Sequence, residues 1–258
     1  MQHSTKFIFL FALGICLVCS LMVSVAAVSL RDEQAINREL DMKKSVLEAS
    51  QLLKPGEGAT RAVIEEKFAA IKPRVIDLET GEYVDVSDPA KFNEDAPENL
   101  ETAEGAATGL STAPKQRRIF HVMKGDVVDT LILPIEGKGL WSTLEGYLAL
   151  DSDTNTVRGI TYYAHKETPG LGGEVDNPKW KSRWIGRKIY GDKWEVRLQV
   201  IKGPAGSPTD DPHHIDGLSG STITSRGVTA MLRFWLGEQG FGPYLEQLRK
   251  EASDGQAP

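Results

Sequence analysis

Residues 216–225 read Asp-Gly-Leu-Ser-Gly-Ser-Thr-Ile-Thr-Ser, and an apolar, helix-like segment follows them at residues 228–236. Five hydroxyl side chains and two glycines therefore stand directly before a predicted helix. The first N–H groups of a helix have no partner inside it, and the helix dipole adds partial positive charge at that end. Such a run is usually an ordinary N-cap and turn, which is far commoner than an anion site, and it is also a place where an anion such as phosphate can bind. No Gly-Lys-Ser/Thr follows, so it is not a P-loop, and Gly-x-Ser-x-Gly is absent here.

The composition of the chain excludes several classes of function. The 258 residues carry a formal net charge of −6, which argues against nucleic-acid binding because that needs clustered Lys and Arg. Both cysteines, Cys16 and Cys19, lie in the apolar N-terminal stretch, so the remainder cannot hold a Cys-ligated iron–sulfur cluster. An electron carrier in that remainder would need an organic cofactor or another metal. The contiguous Asp-Asp-Pro-His-His at residues 210–214 is typical of a solvated loop, and we predict no metal site.

The N-terminal stretch predicts a membrane anchor. Residues 7–30 contain no charged side chain. At about 1.5 Å per residue a helix of this length reaches about 36 Å, more than the roughly 30 Å of a bilayer's hydrocarbon layer. A cleaved signal peptide is the alternative, because Val25-Ala26-Ala27 resembles a small-residue cleavage site. The apolar run is longer than a signal core of about 7–15 residues, and we therefore expect a retained single span.

The segment after the span starts with helical patterns. Residues 32–53 predict a helix, and Thr60 can cap a second helix that carries Ile71 on its apolar face and ends at Pro73. Residues 75–86 predict a hairpin. Residues 87–116 are acidic and rich in Ala, Gly and Pro, and we expect an irregular excursion or linker there.

The C-terminal half is rich in predicted strands. Turn signals at residues 124–126 and 152–155 separate two pairs of strands, and apolar residues alternate with polar ones from Trp194 to Val200. Asn177-Pro178 fits a helix N-cap and first helical position. We predict an α+β fold: an N-terminal transmembrane helix followed by a mainly antiparallel sheet domain with packed helices. The expected domains are residues 1–30 (tail and span), 31–117 (helical lead, hairpin and irregular segment) and 118–258 (α+β domain).

Three motifs in the predicted domain carry a family resemblance. Residues 219–225, Ser-Gly-Ser-Thr-Ile-Thr-Ser, resemble the flavin-attachment motif Ser-Gly-Ala-Thr-x-Thr-Ser. Residues 165–172 contain Glu-Thr-Pro-Gly-Leu-Gly and residues 137–142 read Gly-Lys-Gly-Leu-Trp-Ser, and both are similar to elements of the same family. In this order behind an N-terminal span, they resemble the FMN-binding domain family and, within it, the C subunits of the sodium-translocating NADH:quinone oxidoreductases. One departure is Ser221, which stands where the family usually has alanine and adds a hydroxyl beside Thr222.

The resemblance implies roles for particular residues. FMN would be joined through a phosphoester to Thr222, and Asp216 matches the acidic position that opens the motif. The rest of the run would shape the turn around the phosphate, namely Ser219, Gly220, Ser221, Thr224 and Ser225. The flavin ring would lie along Glu167, Thr168, Gly170, Leu171 and Gly172, with Leu140 and Trp141 as neighbours. Without the resemblance, residues 167–172 are typical of an ordinary Pro-Gly turn. No independent catalytic residue is predicted.

The resemblance also implies a place in a complex. The chain would be an electron-relay subunit that passes electrons from NADH towards quinone, coupled to Na⁺ export, and would not be catalytic in isolation. Its partners would be the A, B, D, E and F subunits and a flavin transferase that attaches FMN. It would lie in the cell inner membrane as a single-pass protein, with the large C-terminal domain in the periplasm.

Two alternatives remain open from the sequence. The flavin-bearing G subunit of the ferredoxin-linked Rnf complex shares the threonine motif, and the Gly-Leu-Trp-Ser element and the long helical lead favour the C subunit of the sodium-translocating enzyme. From a different class, the chain could be a membrane-anchored binding module without redox chemistry, whose hydroxyl-rich turn only caps a helix.

Overall fold

A computed structural model of the chain describes residues 4–54, 58–103, 108–125 and 127–253. The chain divides into two compact units, residues 1–42 and residues 43–258. The elements of the second unit position the site, and the first unit contains the apolar N-terminal stretch.

In the first unit, helix α1 spans Thr5–Ser29 and Ser4 is its N-cap, with the Ser4 side chain accepting from the Phe7 N–H at 3.3 Å. Its mean hydropathy is 2.7 and none of its residues is buried. Length and composition are those of a helix able to cross a membrane, as the sequence predicts. Helix α2, Arg31–Ala49, follows and continues into the second unit.

The second unit is built on one antiparallel sheet of five strands. Its strands, in spatial order, are β1 (Ile71–Asp77), β4 (Gln116–Lys124), β5 (Val127–Lys138), β6 (Thr143–Asp151) and β7 (Val157–Ala164), and the last three each pair with the preceding strand through a hairpin. Two small pairs lie outside this sheet, one formed by residues 100–102 and 112–114 and the other by residues 199–200 and 214–215. The elements after α2 are α3 Arg61–Phe68, β1 Ile71–Asp77, β2 Leu100–Thr102, β3 Thr112–Pro114, β4 Gln116–Lys124, β5 Val127–Lys138, β6 Thr143–Asp151, β7 Val157–Ala164, α4 Pro178–Ser182, β8 Gln199–Val200, β9 His214–Ile215, α5 Thr222–Trp235 and α6 Gly242–Ser253.

Both faces of the large sheet are covered. Leu131, Leu133 and Ile135 of β5 alternate along the strand and pack in one buried cluster with residues of α5 and α6. Within that layer the indole N–H of Trp235 on α5 donates to the backbone oxygen of Glu136 on β5 at 2.7 Å. The end of α2 lies against β7, where the Thr161 hydroxyl donates to the Ser45 oxygen at 2.9 Å. The predicted α+β class with a mainly antiparallel sheet is therefore confirmed.

Several local predictions hold. The two strand pairs flank turns at residues 124–126 and 152–155 as expected, although Asp126 lies outside the described residues. Asn177 caps α4 by accepting from the Lys179 N–H at 2.9 Å. Residues 104–107 lie outside the described residues, and the rest of residues 87–115 is largely irregular, with two short 3₁₀ turns and the antiparallel β2–β3 pair.

The predicted second helix is wrong at its C-terminal end. Thr60 is the N-cap, but α3 ends at Phe68, and Ile71 begins β1. Pro73 lies inside β1 opposite Phe120. Since β1 is an edge strand of the sheet, a residue without an N–H is tolerated there.

The predicted strand at residues 194–200 is mostly wrong as well. Only Gln199–Val200 form a strand, and it pairs in parallel with His214–Ile215. Trp194 has a left-handed backbone (φ 61°), and its N–H bonds to the Gly191 oxygen, so the chain turns at this point. The alternating apolar residues still pack inward, as the fully buried Leu198 shows, but without a partner strand along most of their length.

Candidate functional site

The site is built around the start of α5. Ser221 is the residue before the helix and Thr222 is its first residue, and no side chain of the described residues caps this end. The N–H groups of the first turn are therefore available to an anion, which the dipole of a 14-residue helix also favours. The helix thus begins at the hydroxyl run itself, several residues before the apolar segment that predicts it.

The hydroxyls of the run divide into buried and exposed groups. Ser221, Thr224 and Ser225 are at most 6% exposed. Ser221 Oγ donates to Thr224 Oγ1 at 2.9 Å, and Ser225 Oγ donates to the Ser221 backbone oxygen at 3.0 Å. Thr222 and Ser219 are exposed. Of these two, only Thr222 belongs to the first turn of the helix.

The second motif forms a tight turn beside this helix. Thr168 O accepts from the Leu171 N–H at 3.1 Å, and Gly170 lies between them with φ 77°. With Pro169 ahead of that glycine, this is the arrangement of a type II turn, whose third residue needs positive φ. The turn places Leu171 against Gly220, where an added Cβ would lie 2.9 Å from Leu171 Cδ2. The Pro-Gly turn and the hydroxyl run are therefore in contact.

Glu167 joins all three motifs. Its Oε1 accepts from the Trp141 N–H at 2.8 Å and the Ser142 N–H at 3.2 Å, and its Oε2 accepts from the Leu140 N–H at 3.2 Å. The Thr224 hydroxyl donates to Oε2 at 2.7 Å. The carboxylate is 5% exposed and receives donors from the loop after β5 and from α5.

These contacts keep the Glu167 carboxylate charged. Burial raises the pKa of Glu167, but the hydrogen bonds from the Thr224 hydroxyl and from three backbone N–H groups outweigh it, so that the pKa lies below its ordinary value. The site therefore holds a fixed negative charge just behind the first turn of α5.

Two glycines make room for this carboxylate. A Cβ on Gly139 would lie 2.6 Å from Glu167 Oε1, and a Cβ on Gly172 would lie 2.5 Å from Oε2 and 2.7 Å from Thr224 Oγ1. Gly139 and Gly172 thus allow the backbone to lie close to the Glu167 carboxylate.

The surface next to Thr222 is apolar. Leu140, Trp141, Leu171 and Ile223 are 47%, 70%, 44% and 56% exposed. Exposed apolar side chains that gather at one place mark a binding surface more often than isolated ones do. A flat apolar ring with a phosphate tail fits such a surface, with its tail at the helix and its ring on these side chains. Ile223 is not among the predicted site residues, and its position beside Thr222 was the only sequence signal for it.

Thr168 and Gly170 are exposed on the Pro-Gly turn.

Asp216 is partly buried and bonded to neighbouring segments. Asp216 Oδ1 accepts from the Ala205 N–H at 2.9 Å, and its Oδ2 lies 3.5 Å from Arg183 Nε. The Trp180 indole donates to its backbone oxygen at 2.8 Å. Asp216 therefore fastens the loop that precedes the motif. Arg226 is exposed one turn after Thr222, on the same side of α5.

Possible metal ligands do not converge. Within the part of the chain that the structure describes, no group of three or more His, Cys, Asp or Glu side chains could hold a metal ion. In the Asp-Asp-Pro-His-His segment, His214 Nδ1 lies 2.7 Å from Asp211 Oδ1, and His213 Nδ1 lies 2.9 Å from the Lys188 backbone oxygen.

The segment from β6 to α5 belongs to an FMN-binding domain, because residues 139–237 match the family of that description. The chain is 42% identical to the C subunit of the Na⁺-translocating NADH-quinone reductase of Yersinia pestis, over 92% of this chain and 91% of that protein. It is also 42% identical to the C subunit of the Pseudomonas aeruginosa reductase, over 96% and 98% of the two chains. The crystal structure of Shewanella oneidensis NqrC superposes with a TM-score of 0.74 at 33% identity, covering 84% of this chain and 99% of that one. The chain belongs to the family of the C subunits of Na⁺-translocating NADH-quinone reductases.

Proposed function

We propose that the chain carries FMN through a phosphoester on Thr222 and relays electrons from NADH towards quinone inside the Na⁺-translocating reductase. The observation that supports this most is the environment of Thr222. Its hydroxyl is exposed at the uncapped start of a 14-residue helix, within a domain that matches the FMN-binding family. There the helix dipole and the free N–H groups stabilise the charge of a phosphodiester.

The other hydroxyls of the run fit the acceptor role less well. Ser221 and Thr224 are buried, and each donates its proton inside the protein. Ser225 is buried and bonded to the helix backbone. Ser219 is exposed but precedes the helix, so its oxygen lies outside the first turn where the free N–H groups are. The extra serine at position 221 therefore does not compete with Thr222.

Covalent attachment would suit an exposed site. Bound flavin supplies the one- and two-electron chemistry, while the protein sets its position and surroundings. Leu140, Trp141 and Leu171 offer the apolar surface for a ring system, and Arg226 adds a positive charge on the phosphate side. Because the site is open, a flavin held only by these contacts could dissociate, and an ester bond removes that loss.

The remaining steps of the reaction belong to other subunits. The sequence has no Gly-x-Gly-x-x-Gly turn for a nicotinamide dinucleotide, and residues 7–29 of its candidate span carry no charged side chain that could line an ion path. We assign NADH binding, Na⁺ translocation and quinone reduction to the A, B, D, E and F subunits. The relatives' names favour this complex over Rnf. A binding module without flavin remains the outcome that the experiment below would reveal.

The membrane anchor sets the proposed location. We place α1 across the inner membrane, with the FMN-binding domain on the periplasmic side. Protease added to intact spheroplasts should then digest the domain, and protease added to inside-out vesicles should leave it whole. The opposite pattern would reverse the orientation.

The attachment is tested by mass and fluorescence of the denatured chain. Natively expressed wild type should weigh more than its amino acids by one esterified FMN and should fluoresce as a flavoprotein on a denaturing gel. Thr222→Ala should lose both signals entirely, because the acceptor oxygen is gone. Ser219→Ala, which removes the neighbouring exposed hydroxyl, should keep the FMN ester.

The same experiment tests the need for a flavin transferase. Unmodified chain incubated with FMN alone should keep its unmodified mass, since no nucleotide-processing motif is present.

Labelling that survives Thr222→Ala but disappears with Ser219→Ala, Ser221→Ala or Thr224→Ala would assign the ester to another residue. Native protein with no flavin at all would favour the binding module.

A further inference from the structure

The Glu167 carboxylate is already saturated by the chain. Two backbone N–H groups donate to Oε1, and one backbone N–H and one hydroxyl donate to Oε2. A carboxylate has about four acceptor positions, so these donors use its capacity. With 5% of the residue exposed, little of it faces a ligand. A different role from flavin contact follows.

We propose that Glu167 is a positioning residue, whose carboxylate ties the loop at residues 139–142 to the first turn of α5 and thereby fixes Leu140 and Trp141 relative to Thr222. The three segments are far apart in sequence, since Glu167 lies 26 residues after Trp141 and 57 residues before Thr224. The inference rests on the proposed function only for the role of Thr222. The hydrogen bonds of Glu167 to residues 140–142 and Thr224 lie within this chain.

The local geometry shows why a carboxylate is needed. The N–H groups of residues 140, 141 and 142 all point at Glu167, so an acceptor with two oxygens is required. Hydrogen bonds to a charged acceptor are stronger than those to a neutral one. Gly139 and Gly172 let the backbone approach within a distance that any Cβ would block. The loop that carries two exposed apolar side chains is therefore held by one buried group.

Ser221 adds to this bridge. A hydroxyl has one proton, and Thr224 gives its proton to Glu167 while accepting from Ser221. Donation by Ser221 polarises the Thr224 hydroxyl and strengthens the next bond in the chain. With alanine at position 221, as in the motif this run resembles, Thr224 would lack this donor. Ser221 thus acts through Thr224 and Glu167.

Other charged groups lie on the segments packed near Glu167. His165 on the same segment accepts the Glu167 N–H at its Nδ1 (3.2 Å), and its Nε2 lies 2.7 Å from Asp176 Oδ2. The hydrogen bond that His165 donates to the Asp176 carboxylate raises the pKa of His165 above its ordinary value of 6.5. Lys138 at the end of β5 donates to the Thr143 hydroxyl at 3.0 Å, and Lys166 is exposed. The α5 side chains that face the carboxylate, Ser221 and Thr224, are neutral. An acid transition in the exchange of residues 139–142 is assigned to Glu167 by comparison with Glu167→Gln, in which position 167 does not titrate.

The test is hydrogen–deuterium exchange of the full-length, flavin-free chain in detergent, followed on the peptide that contains residues 139–142. At pH 7 this peptide should exchange about tenfold faster or more in Glu167→Gln than in wild type. The glutamine side chain offers one acceptor oxygen, and its NH₂ group would face the backbone N–H groups that donate to Glu167. Thr224→Val should accelerate it less. Glu238→Gln, which changes an exposed carboxylate, is the matched control and should leave it unchanged.

The pH profile separates positioning from general loss of structure. The Glu167 pKa is lowered on folding, so its contribution is complete above the unfolded value and is lost as pH falls through the folded value. After correction for intrinsic exchange rates, wild type should lose protection of residues 139–142 only below pH 4.5, and Glu167→Gln should show no such step. Thr224→Val should move the step to higher pH, and Ser221→Ala should move it less in the same direction.

Two results would overturn the inference. One is unchanged protection of residues 139–142 in both Glu167→Gln and Thr224→Val. The other is a wild-type profile without the acidic step. If Glu167→Gln fails to fold, the Thr224→Val profile decides alone. Failure of FMN to attach to Thr222 would leave these exchange results intact, so the two proposals fail separately.

Discussion

Gly172 has no Cβ, and this leaves room for the Glu167 carboxylate beside it. A Cβ there would meet Glu167 Oε2 at 2.5 Å and Thr224 Oγ1 at 2.7 Å, both on packed side chains. We expect Gly172→Ala to lower the free energy of unfolding by about 1–3 kcal/mol, the usual cost of overpacking a buried position. Urea unfolding measures this difference.

Gly58→Ala is the matched control for that prediction. Apart from Gly58 itself and its chain neighbours, no heavy atom of the described residues lies within 4 Å of the position its Cβ would take, and its backbone is not left-handed. A surface change of this kind alters stability by less than about 0.5 kcal/mol. Equal effects of the two substitutions would show that the contact with Glu167 does not restrict Gly172.

The residues of the site show what the sequence can and cannot predict. The three motifs point to segments that the fold brings together, since Leu140, Trp141, Glu167, Leu171 and the hydroxyl run meet in one place. Which hydroxyls face inward depends on the residue at which α5 starts, and the apolar segment predicts only its later turns. The hydrogen bond between Glu167 and Thr224 joins residues that are 57 positions apart, and no local sequence pattern predicts it.

At the scale of elements, the hairpins of the large sheet are the predictable part. Each of the two strand pairs from β4 to β7 has apolar strands on both sides of a short turn signal, so local sequence and final pairing agree. The β5–β6 pair turns through residues 139–142, and the N–H groups of residues 140–142 donate to the distant Glu167. No short sequence pattern predicts this contact.

Two segments are predicted wrongly because contacts with distant parts of the chain decide their structure. At residues 71–77 the sequence favours helix up to Pro73, but pairing with β4 converts the segment into an edge strand. At residues 194–200 the alternation reflects burial against the core without a long partner strand. In both cases the neighbour that decides the structure lies far away in the sequence. The predicted division between residues 117 and 118 stays a prediction, although the β1–β4 pairing crosses it.

At the scale of the whole molecule, the second unit includes the end of α2. Val46, Leu47 and Ala49 are at most 1% exposed, and so is Leu53 just beyond the helix. Gly159 on β7 accommodates the Ala49 backbone oxygen, where an added Cβ would lie 2.5 Å away. Residues 43–53 are thus part of the covering layer on this face of the sheet.

This layer predicts where the chain can be shortened. A chain that begins at Lys43 should fold and keep a urea midpoint close to that of the full-length protein, because residues 43–258 form one compact unit. A chain that begins at Lys54 removes two buried leucines, one buried valine and one buried alanine. Since replacing one buried leucine by alanine costs about 2–5 kcal/mol, the shorter chain should lose at least about 5 kcal/mol or fail to fold. The two chains differ by 11 residues, all outside the predicted flavin site, so far-UV circular dichroism with urea unfolding compares only the covering layer. Equal midpoints would mean that residues 43–53 contribute nothing to the stability of the sheet.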